Sequence, residues 1–186
     1  KIDLTVGGKS AEKADGGIAV SVPAAEAGAG SVLVLVDAGG KETIIKKSVL
    51  EDKAVTGLVE GSCTVKVADH TKHFTDTNSH WAKDAIAFAS SHGLFGGVGG
   101  GCFAPDAVMD RAMVATVLYR LEDAQAAGTA SFTDVPAGTW YSEAVAWASE
   151  KGIVKGTGTG FDPSGSVTRE QLAAMLYRYA QTVRMD

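Results

Sequence analysis

The chain has 186 residues and a formal net charge of −5 at pH 7. This acidic balance leaves no basic stripe, which argues against nucleic acid as a partner. No run approaches the about 18 consecutive apolar residues that a transmembrane helix needs, so no membrane span is predicted.

The composition changes near residue 70, which predicts two differently built parts. Residues 1–70 contain eight lysines, no arginine and no aromatic residue, whereas every Arg, Trp, Tyr and Phe lies beyond that point. At this length one or two domains are expected, and the change favours two. Because the first residue is lysine rather than methionine, we expect a fragment of a longer protein, and an upstream export signal could be among the missing residues.

Residues 1–70 show short stretches of alternating apolar residues separated by glycine turns, a pattern typical of strands. Gly39 and Gly40 predict a tight hairpin, and residues 24–30 predict a loop rich in Ala and Gly. A small all-β sandwich or barrel with a thin core is the natural fold. The predicted strands lie near residues 2–6, 18–22, 31–36, 43–47, 54–59 and 62–67.

Beyond residue 70 the sequence repeats itself, with a period of about 58 residues. A fixed period with matched aromatic, glycine and proline positions is typical of one supersecondary unit used more than once. The matched positions include Phe74 with Phe132, Trp81 with Trp140, Gly93 with Gly152, Phe103 with Phe161, Arg111 with Arg169, and Leu118 with Leu176.

Each repeat is predicted to begin with a short helix that ends at Gly93 or Gly152, where a left-handed residue closes the last turn. A helical period puts a set of mostly apolar side chains on one face. In the first copy that face is Trp81, Ala85, Phe88, Ala89 and His92; in the second it is Trp140, Ala144, Trp147, Ala148 and Lys151.

A second helix is predicted to start after Asp110 and after Thr168, which are both good N-caps. Thr168 and Gln171 form a capping box, whereas Met113 leaves the first copy only half of one. The two helices of neighbouring repeats are expected to pack together. Their predicted apolar faces are Val114, Val117, Leu118 and Leu121, and then Leu172, Met175, Leu176 and Tyr179.

The only two cysteines, Cys63 and Cys102, are expected to be unpaired and buried as small hydrophobes, although a disulfide between the two parts is an alternative. His70, His73 and His80 lie near Cys63, but their spacing fits no common zinc pattern. We therefore expect linker and capping histidines rather than a metal site.

The repeats resemble the S-layer homology (SLH) domain of bacterial surface proteins. In the first copy the front half matches well, but its last motif is degraded to Met109–Met113. In the second copy the resemblance rests on Phe132–Val135, Trp140, Gly152–Gly156, Phe161–Pro163 and Val167–Gln171.

The predicted organisation is an α+β chain. A small β sandwich or barrel over residues 1–70 precedes one SLH repeat over 71–126 and another over 127–186. Each repeat consists of helix, glycine-rich loop and helix, and the two are packed as a helical bundle.

The resemblance implies an extracellular protein of the cell wall or S-layer. Repeats of this family anchor exported proteins non-covalently by binding secondary cell-wall polysaccharide, often a pyruvylated amino sugar. No cofactor is implied. Because the family's repeats usually come in threes, a third repeat from another chain or a homo-oligomer stays open. A self-associating surface-layer module without glycan binding is the alternative function.

The resemblance also assigns roles by position. An arginine at the first turn of each second helix would bind the ketal carboxylate, since a guanidinium supplies a fork of donors and a helix N-terminus adds positive potential. The loop glycines and a lysine would complete the groove, and tryptophans would back the sugar ring. The predicted glycan-binding residues are Arg111, Arg169, Lys155, Gly97, Gly156, Trp81 and Trp140.

Several residues of the repeats have structural explanations that do not require a ligand. Trp81 and Trp140 begin apolar helical stripes, so core packing competes with sugar stacking. Asp76 and Asp134 are expected to hold turns through hydrogen bonds to the backbone rather than to act as acids. The sequence contains no HExxH or GxSxG motif and no carboxylates paired by a motif, so this segment is not expected to be an enzyme.

Overall fold

The computed structural model describes residues 1–3, 5–6, 9–10, 16–125, 128, 131–158 and 160–183. Its strands are β1 Thr5–Val6, β2 Lys9–Ser10, β3 Ile18–Pro23, β4 Ser31–Val36, β5 Glu42–Ile44, β6 Val49–Glu51, β7 Ala54–Val59 and β8 Thr64–Asp69. Its helices are α1 Lys83–Ser91, α2 Arg111–Leu121, α3 Ser142–Glu150 and α4 Arg169–Thr182. The chain is thus mixed α and β, as the composition predicted.

The strands form two three-stranded antiparallel sheets, in the orders β3-β7-β6 and β5-β4-β8, and β1 pairs with β2. The two larger sheets pack face to face. At this contact Gly57 of β7 lies so close to Leu33 of β4 that a Cβ at position 57 would be 3.1 Å from the leucine side chain. Strand β4 is the most buried strand. A hairpin follows it and connects it to β5, with which it pairs.

The strands predicted over residues 18–22, 31–36 and 54–59 are confirmed. The strand predicted over 43–47 ends at Ile44, the one predicted over 62–67 begins at Thr64, and β2 and β6 were not predicted. Of the strand predicted over 2–6, the structure shows residues 5–6, and Leu4 lies outside the described residues.

The chain separates into two compact units, Lys1–Pro105 and Asp106–Asp186. The break falls inside the first sequence repeat, so the first unit contains the sheets and α1 and the second contains α2, α3 and α4. Within the second unit α2 packs against α3, as expected for helices of neighbouring repeats. The domain boundaries predicted from the sequence period, near residues 70 and 126, remain predictions.

In the first unit, α1 packs on β4, with His92 at the contact. His92 is completely buried; its Nδ1 lies 2.7 Å from the Phe88 carbonyl, and its Nε2 lies 3.2 Å from the Ser48 hydroxyl. Burial lowers the pKa of His92, which favours the neutral ring in this contact. The sequence correctly predicted that His92 lies on the buried face of the first helix. It did not predict the contact with Ser48.

The helix ends match the predictions closely. Asp110 accepts a hydrogen bond from the Met113 N–H, and Thr168 with Gln171 forms the complete capping box. At the C-terminal ends of α1 and α3, Gly93 and Gly152 have φ of 71° and 70°. The next N–H groups along the chain donate back to the carbonyls of Ala89 and Ala148, which completes a Schellman motif in both repeats. These local signals are confirmed.

The predicted apolar face of the first helices is wrong at its start, and two further members of it, Ala85 and Lys151, are exposed. Helix α1 begins at Lys83, so Trp81 lies before the helix, and it is 91% exposed. Trp140 likewise precedes α3 and is 59% exposed. Core packing therefore does not explain these two tryptophans.

The core of the second unit is contributed by α2, α3, the loop after α3 and one side of α4. Phe161 and Ile153 are completely buried within it, and Trp147 is 5% exposed. Of the predicted apolar face of α4, Met175 is buried, whereas Leu172 and Leu176 are exposed. No helix among the described residues is long and apolar enough to cross a membrane.

Cys63 and Cys102 are both free and only partly buried. Burial raises the pKa of the Cys63 thiol. The prediction of unpaired cysteines is confirmed, but neither is fully buried.

Candidate functional site

An aspartate in each repeat holds the loop between the first and second helices. The Asp76 carboxylate accepts hydrogen bonds from the backbone N–H of Phe103, at 2.9 Å, and of Ala104, at 2.7 Å. In the second repeat Asp134 accepts from Phe161, at 2.8 Å, and from the next residue, at 2.7 Å. The aspartates therefore bind backbone, as predicted, although their partners lie much further along the chain than a turn would require.

The clamped loops contain a strained residue at the same place in both repeats. Ala104 and Asp162, the second residues held by each aspartate, are left-handed, with φ of 57° and 59°. Non-glycine residues rarely adopt this conformation, and alanine has no side chain to compensate for it. The carboxylate clamp stabilises this loop conformation, which the sequence did not predict.

The clamps make the stability of the second unit dependent on pH. Hydrogen bonds from Phe161 and Asp162 lower the pKa of Asp134. A lowered folded-state pKa stabilises the protein above the unfolded pKa of about 4, and this stabilisation is lost as the pH falls through the folded value. We expect Asp134→Asn to lower the melting temperature at pH 6 and to reduce its dependence on pH below about 4.

Thermal melts between pH 2 and 6 measure this effect. The exposed Glu170→Gln is the matched control, and its curve should run parallel to that of the unsubstituted protein. A pH dependence that is unchanged in Asp134→Asn would contradict the clamp.

The predicted site glycines, Gly97 and Gly156, lie where the loop backbone meets a phenylalanine ring. A Cβ at Gly97 would lie 2.7 Å from the Cys102 carbonyl and 2.8 Å from the Phe74 ring. At Gly156 the corresponding distances are 2.7 Å to the Gly160 carbonyl and 3.0 Å to Phe132. Real Cβ atoms do not approach so closely, so both positions require glycine for packing.

Arg111 is 4% exposed and lies inside the second unit. Its Nε donates to the Phe161 carbonyl and its Nη2 donates to the Lys155 carbonyl, both at 2.7 Å. The guanidinium carbon lies 4.7 Å from the centre of the Phe161 ring, a cation–π contact. Burial lowers the pKa of Arg111, whereas the charges of Asp162 and Asp134 oppose that shift. Arg111 thus joins the first-repeat helix α2 to the second-repeat loop.

The N-terminus of α2 is also occupied. The backbone N–H of Arg111 donates to the Gly165 carbonyl, and that of Ala112 donates to the Pro163 carbonyl, each at 3.0 Å. These are the groups that the resemblance assigned to a ligand carboxylate. Direct carboxylate binding by Arg111 stays a prediction, and the geometry gives its donors internal partners.

Arg169, at the matching position of the second repeat, lies in a different environment. It is the first residue of α4 and is exposed. Within the part of the chain that the structure describes, no acceptor lies within hydrogen-bond distance of its side chain or of its backbone N–H. This guanidinium is therefore accessible to a ligand or a partner.

In the second unit the structure brings together three of the predicted site residues, Arg111, Lys155 and Gly156. The Lys155 carbonyl is bound by Arg111, and the residue itself is exposed. In the first unit Gly97 lies against Phe74, and Trp81 is exposed beside His80, with ring centres 5.6 Å apart.

In the turn before α1, the His80 Nδ1 accepts a hydrogen bond from the Ala82 N–H at 3.1 Å, and Ala82, the N-cap of α1, has no side-chain cap bond. His80 therefore holds the turn that leads into the helix rather than occupying the N-cap position. The described residues contain no group of three or more metal-ligating side chains.

The fold and the loop geometry define a tandem-repeat protein built from helix–loop–helix units, in which an aspartate clamps each loop. Residues 73–113 and 131–173 match the S-layer homology domain. The chain carries two S-layer homology domains, which agrees with the resemblance seen in the sequence.

Three proteins of known name are similar to part of this chain. An S-layer protein of Bacillus thuringiensis subsp. finitimus is 32% identical over 137 residues, or 70% of this chain and 16% of that protein. A cellulosome-anchoring protein of Acetivibrio thermocellus is 32% identical over 54% of this chain and 24% of its own length. An amylopullulanase of Thermoanaerobacterium thermosulfurigenes is 32% identical over 59% of this chain and 6% of its own length.

The chain therefore spans less than a quarter of the length of each of these relatives. S-layer homology domains are non-catalytic modules that bind cell-wall components, and they occur in S-layer proteins and in enzymes alike. Together the domain match and the S-layer relatives indicate a protein of the cell surface or S-layer, attached to the cell envelope.

Proposed function

We propose that this chain anchors an exported protein non-covalently to the bacterial cell envelope by binding secondary cell-wall polysaccharide. The ligand class is a polysaccharide with a carboxylate-bearing, pyruvylated amino sugar. The observation that carries the proposal is the exposure of Trp81 and Trp140, which precede the first helix of both repeats. It is supported by the name of the Acetivibrio thermocellus relative, a cellulosome-anchoring protein.

Exposed tryptophans in a folded protein require an explanation. An indole has a large apolar face and one N–H donor, so it is enriched where a partner covers the face and water reaches the edge. A sugar ring has the matching properties, with an apolar C–H face and polar hydroxyl edges. Trp140 is oriented by the ring of Tyr141, whose centre lies 5.2 Å away with the planes at 88°. An indole held in this way loses little entropy when it binds.

The anionic group of the ligand requires an accessible cation. Lys155 and Arg169 are exposed, and Arg169 lies at a helix N-terminus whose partial positive charge favours a carboxylate. In this proposal Arg111 is a positioning residue, because it holds the loop that presents Lys155. Gly97 and Gly156 allow the loops to close on their phenylalanines.

We expect Trp81→Ala and Trp140→Ala each to weaken binding to purified cell walls by about tenfold, because a central tryptophan contributes more than about 1.4 kcal/mol at such contacts. The measurement is co-sedimentation with walls of Acetivibrio thermocellus and of Lysinibacillus sphaericus, before and after mild acid removal of pyruvate ketals. Removal of the ketals should also weaken wall binding, because it removes the carboxylate that Lys155 and Arg169 bind in this proposal.

Leu58→Ala is the control for this experiment, because Leu58 is 56% exposed on β7 and has no role in the proposal. Circular dichroism establishes that each variant is folded. If both tryptophan variants sediment with walls as well as Leu58→Ala does, the tryptophans are not the sugar platform.

A second candidate function is self-association within a surface layer without glycan binding. The observation that favours it is an exposed apolar face on α4, where Leu172, Leu176 and Tyr177 are 38%, 46% and 66% exposed. A chain that associates in solution and does not bind walls would favour this second function over anchoring.

A further inference from the structure

The four histidines of this chain all lie between residues 70 and 92, where the strands lead into the first repeat. Three of them are exposed or half-buried, whereas His92 is completely buried where α1 packs on β4. Histidine is the side chain whose charge ordinarily changes near neutral pH, and a small change of environment moves that titration. A buried histidine at the contact between two elements can therefore make the contact depend on pH.

The second repeat shows that the repeat itself does not require this burial. At the position of His92 the second repeat has Lys151, which is exposed. Ser91, next to His92, is buried, whereas its counterpart Glu150 is exposed. The end of α1 thus has uncharged residues where the end of α3 has charged ones, which adapts α1 to its contact with the strands.

The hydrogen bonds of His92 indicate which ring nitrogen carries the proton. The Phe88 carbonyl can only accept, so Nδ1, at 2.7 Å, is the donor. In a neutral ring Nε2 is then the acceptor, and the Ser48 hydroxyl donates to it at 3.2 Å. The Ser48 oxygen in turn accepts from the Leu33 N–H at 3.1 Å. A chain of hydrogen bonds therefore runs from β4 through the completely buried Ser48 to α1.

A second proton on the His92 ring disrupts this chain. Nε2 becomes a donor, so the Ser48 hydroxyl must turn away and its own proton loses its acceptor. A buried donor without a partner destabilises the contact, and so does a buried charge without a counter-ion. The neutral ring fits this contact and the charged ring does not.

The groups around the ring do not supply a counter-ion. Strand β4 contains no ionisable residue. The ionisable residues of the other elements at the contact are Lys83 and Asp84 on α1, Lys46 and Lys47 in the loop before Ser48, and Asp69, His70, Lys72 and His73 at and after the end of β8. Asp84 lies about 12 Å from His92 along the helix axis. Burial lowers the pKa of His92, and the positive charge of His70 lowers it further.

We propose that the contact between α1 and β4 is an acid-sensitive latch, closed when the His92 ring is neutral and opened when the ring takes up a proton. Because the protein belongs to the cell surface, the latch responds to the pH of the medium. Release loosens α1, the helix that follows Trp81, whereas the second repeat contains no histidine and is unaffected. The inference goes beyond anchoring and does not depend on what the repeats bind.

The direction of the pH dependence follows from the linkage between protonation and docking. The pKa of His92 in the docked state is lowered from its ordinary value of 6.5. Well above that pH the ring is neutral in the docked and in the released state, so the contact keeps its full stability. As the pH falls below 6.5, the released state binds the proton more readily. The closed latch then loses stability by a factor that approaches about tenfold per pH unit, until the lowered pKa is reached.

The carboxylates of this region titrate outside that range. A hydrogen bond from the Thr71 side chain lowers the pKa of Asp69, and one from the Phe103 N–H lowers the pKa of Asp76. Both therefore take up protons below about pH 4. A change between pH 7.5 and 5 thus reports histidine.

Amide hydrogen exchange of the full chain tests the latch, with each rate expressed as protection relative to an unfolded chain at the same pH. The Leu33 N–H, bonded to Ser48, and the Leu94 N–H, bonded to the Ala89 carbonyl at the end of α1, report the contact. Their protection should fall by up to about 30-fold from pH 7.5 to 5, the limit for one proton on an ordinary histidine. The Ile153 N–H makes the matching bond in the second repeat and should keep its protection.

Two substitutions of His92 separate the proton from the side chain. Glutamine keeps a donor and an acceptor but does not titrate in this range, so His92→Gln should make the protection of both amides independent of pH. His92→Lys introduces the residue of the second repeat, which is charged in the released state throughout the range, so protection should be low even at pH 7.5. His73→Gln makes the first change at an exposed histidine and should leave the pH profile unaltered.

Three outcomes would overturn the latch. The first is protection of Leu33 and Leu94 that stays constant between pH 7.5 and 5 in the unsubstituted chain. The second is a fall in His92→Gln equal to that of the unsubstituted chain, and the third is a profile that becomes flat in His73→Gln. Circular dichroism at pH 7.5 establishes that each variant is folded. If His92→Lys does not fold, the comparison of His92→Gln with His73→Gln tests the latch by itself.

Discussion

Arg111→Ala is expected to lower the free energy of unfolding of the second unit by about 3 kcal/mol. The substitution leaves the carbonyls of Phe161 and Lys155 without their charged donor in a buried place, and each such loss costs about 1–3 kcal/mol. It also removes the cation from the face of the Phe161 ring. Urea unfolding monitored by Trp147 fluorescence measures the effect, because this is the one tryptophan of the three that is buried in the core of that unit.

Arg169→Ala is the matched control, since it removes the same side chain from the same position of the repeat. Arg169 is exposed, and surface substitutions of this kind change stability by less than about 0.5 kcal/mol. If Arg111→Ala lowers the free energy of unfolding several times more than Arg169→Ala does, Arg111 has a structural role. Equal, small effects would return Arg111 to the role of a ligand-binding residue, as the resemblance assigned it.

This pair of arginines also explains how far the sequence could predict the site. Both occupy the first turn of a capped helix, and the differences between their neighbours, such as Met113 against Gln171, concern the capping and not the burial of the arginine. What buries Arg111 is a loop near residue 161, whose carbonyls form the contact about 50 residues away. A local pattern identifies the kind of residue and its place on the helix, but the partner is set by tertiary packing.

Features that depend on neighbouring residues were predictable for the same reason. The caps at Asp110 and Thr168 and the left-handed Gly93 and Gly152 follow from backbone groups that must be satisfied within a turn. The strand over residues 31–36 follows from a continuous apolar run. These elements are confirmed because no distant partner decides them.

The tryptophans show where local reasoning fails. Trp81 continues the apolar period of α1 backward by one turn, so the pattern places it on the buried face. The helix instead starts at Lys83, with the His80 side chain bonded to the Ala82 N–H, and Trp81 is left outside the helical register. The prediction was wrong about the residue at which the helix begins, and helix ends are where hydrophobic periodicity carries the least information.

Gly97→Ala is expected to destabilise the first-repeat loop by about 2 kcal/mol, the usual cost of overpacking a close contact. The added methyl group would overlap the Cys102 carbonyl and the Phe74 ring, and neither can move without disturbing the Asp76 clamp. Amide hydrogen exchange of Val98 and Phe103 reports the loop directly, because their N–H groups bond to Cys102 and to Asp76. Protection of both should fall by about 30-fold, the ratio that corresponds to about 2 kcal/mol.

Gly96→Ala is the control one residue away, and the expected effect has the opposite sign. A Cβ at Gly96 meets nothing within 4 Å, and the residue does not have a positive φ. Alanine there restricts the unfolded chain without a clash, so stability should be unchanged or rise by up to about 1 kcal/mol. Because the two variants make the same chemical change in adjacent residues, equal exchange rates in both would show that the loop moves to accept a side chain at Gly97. The close approach of backbone to ring would then not be what requires glycine in this loop.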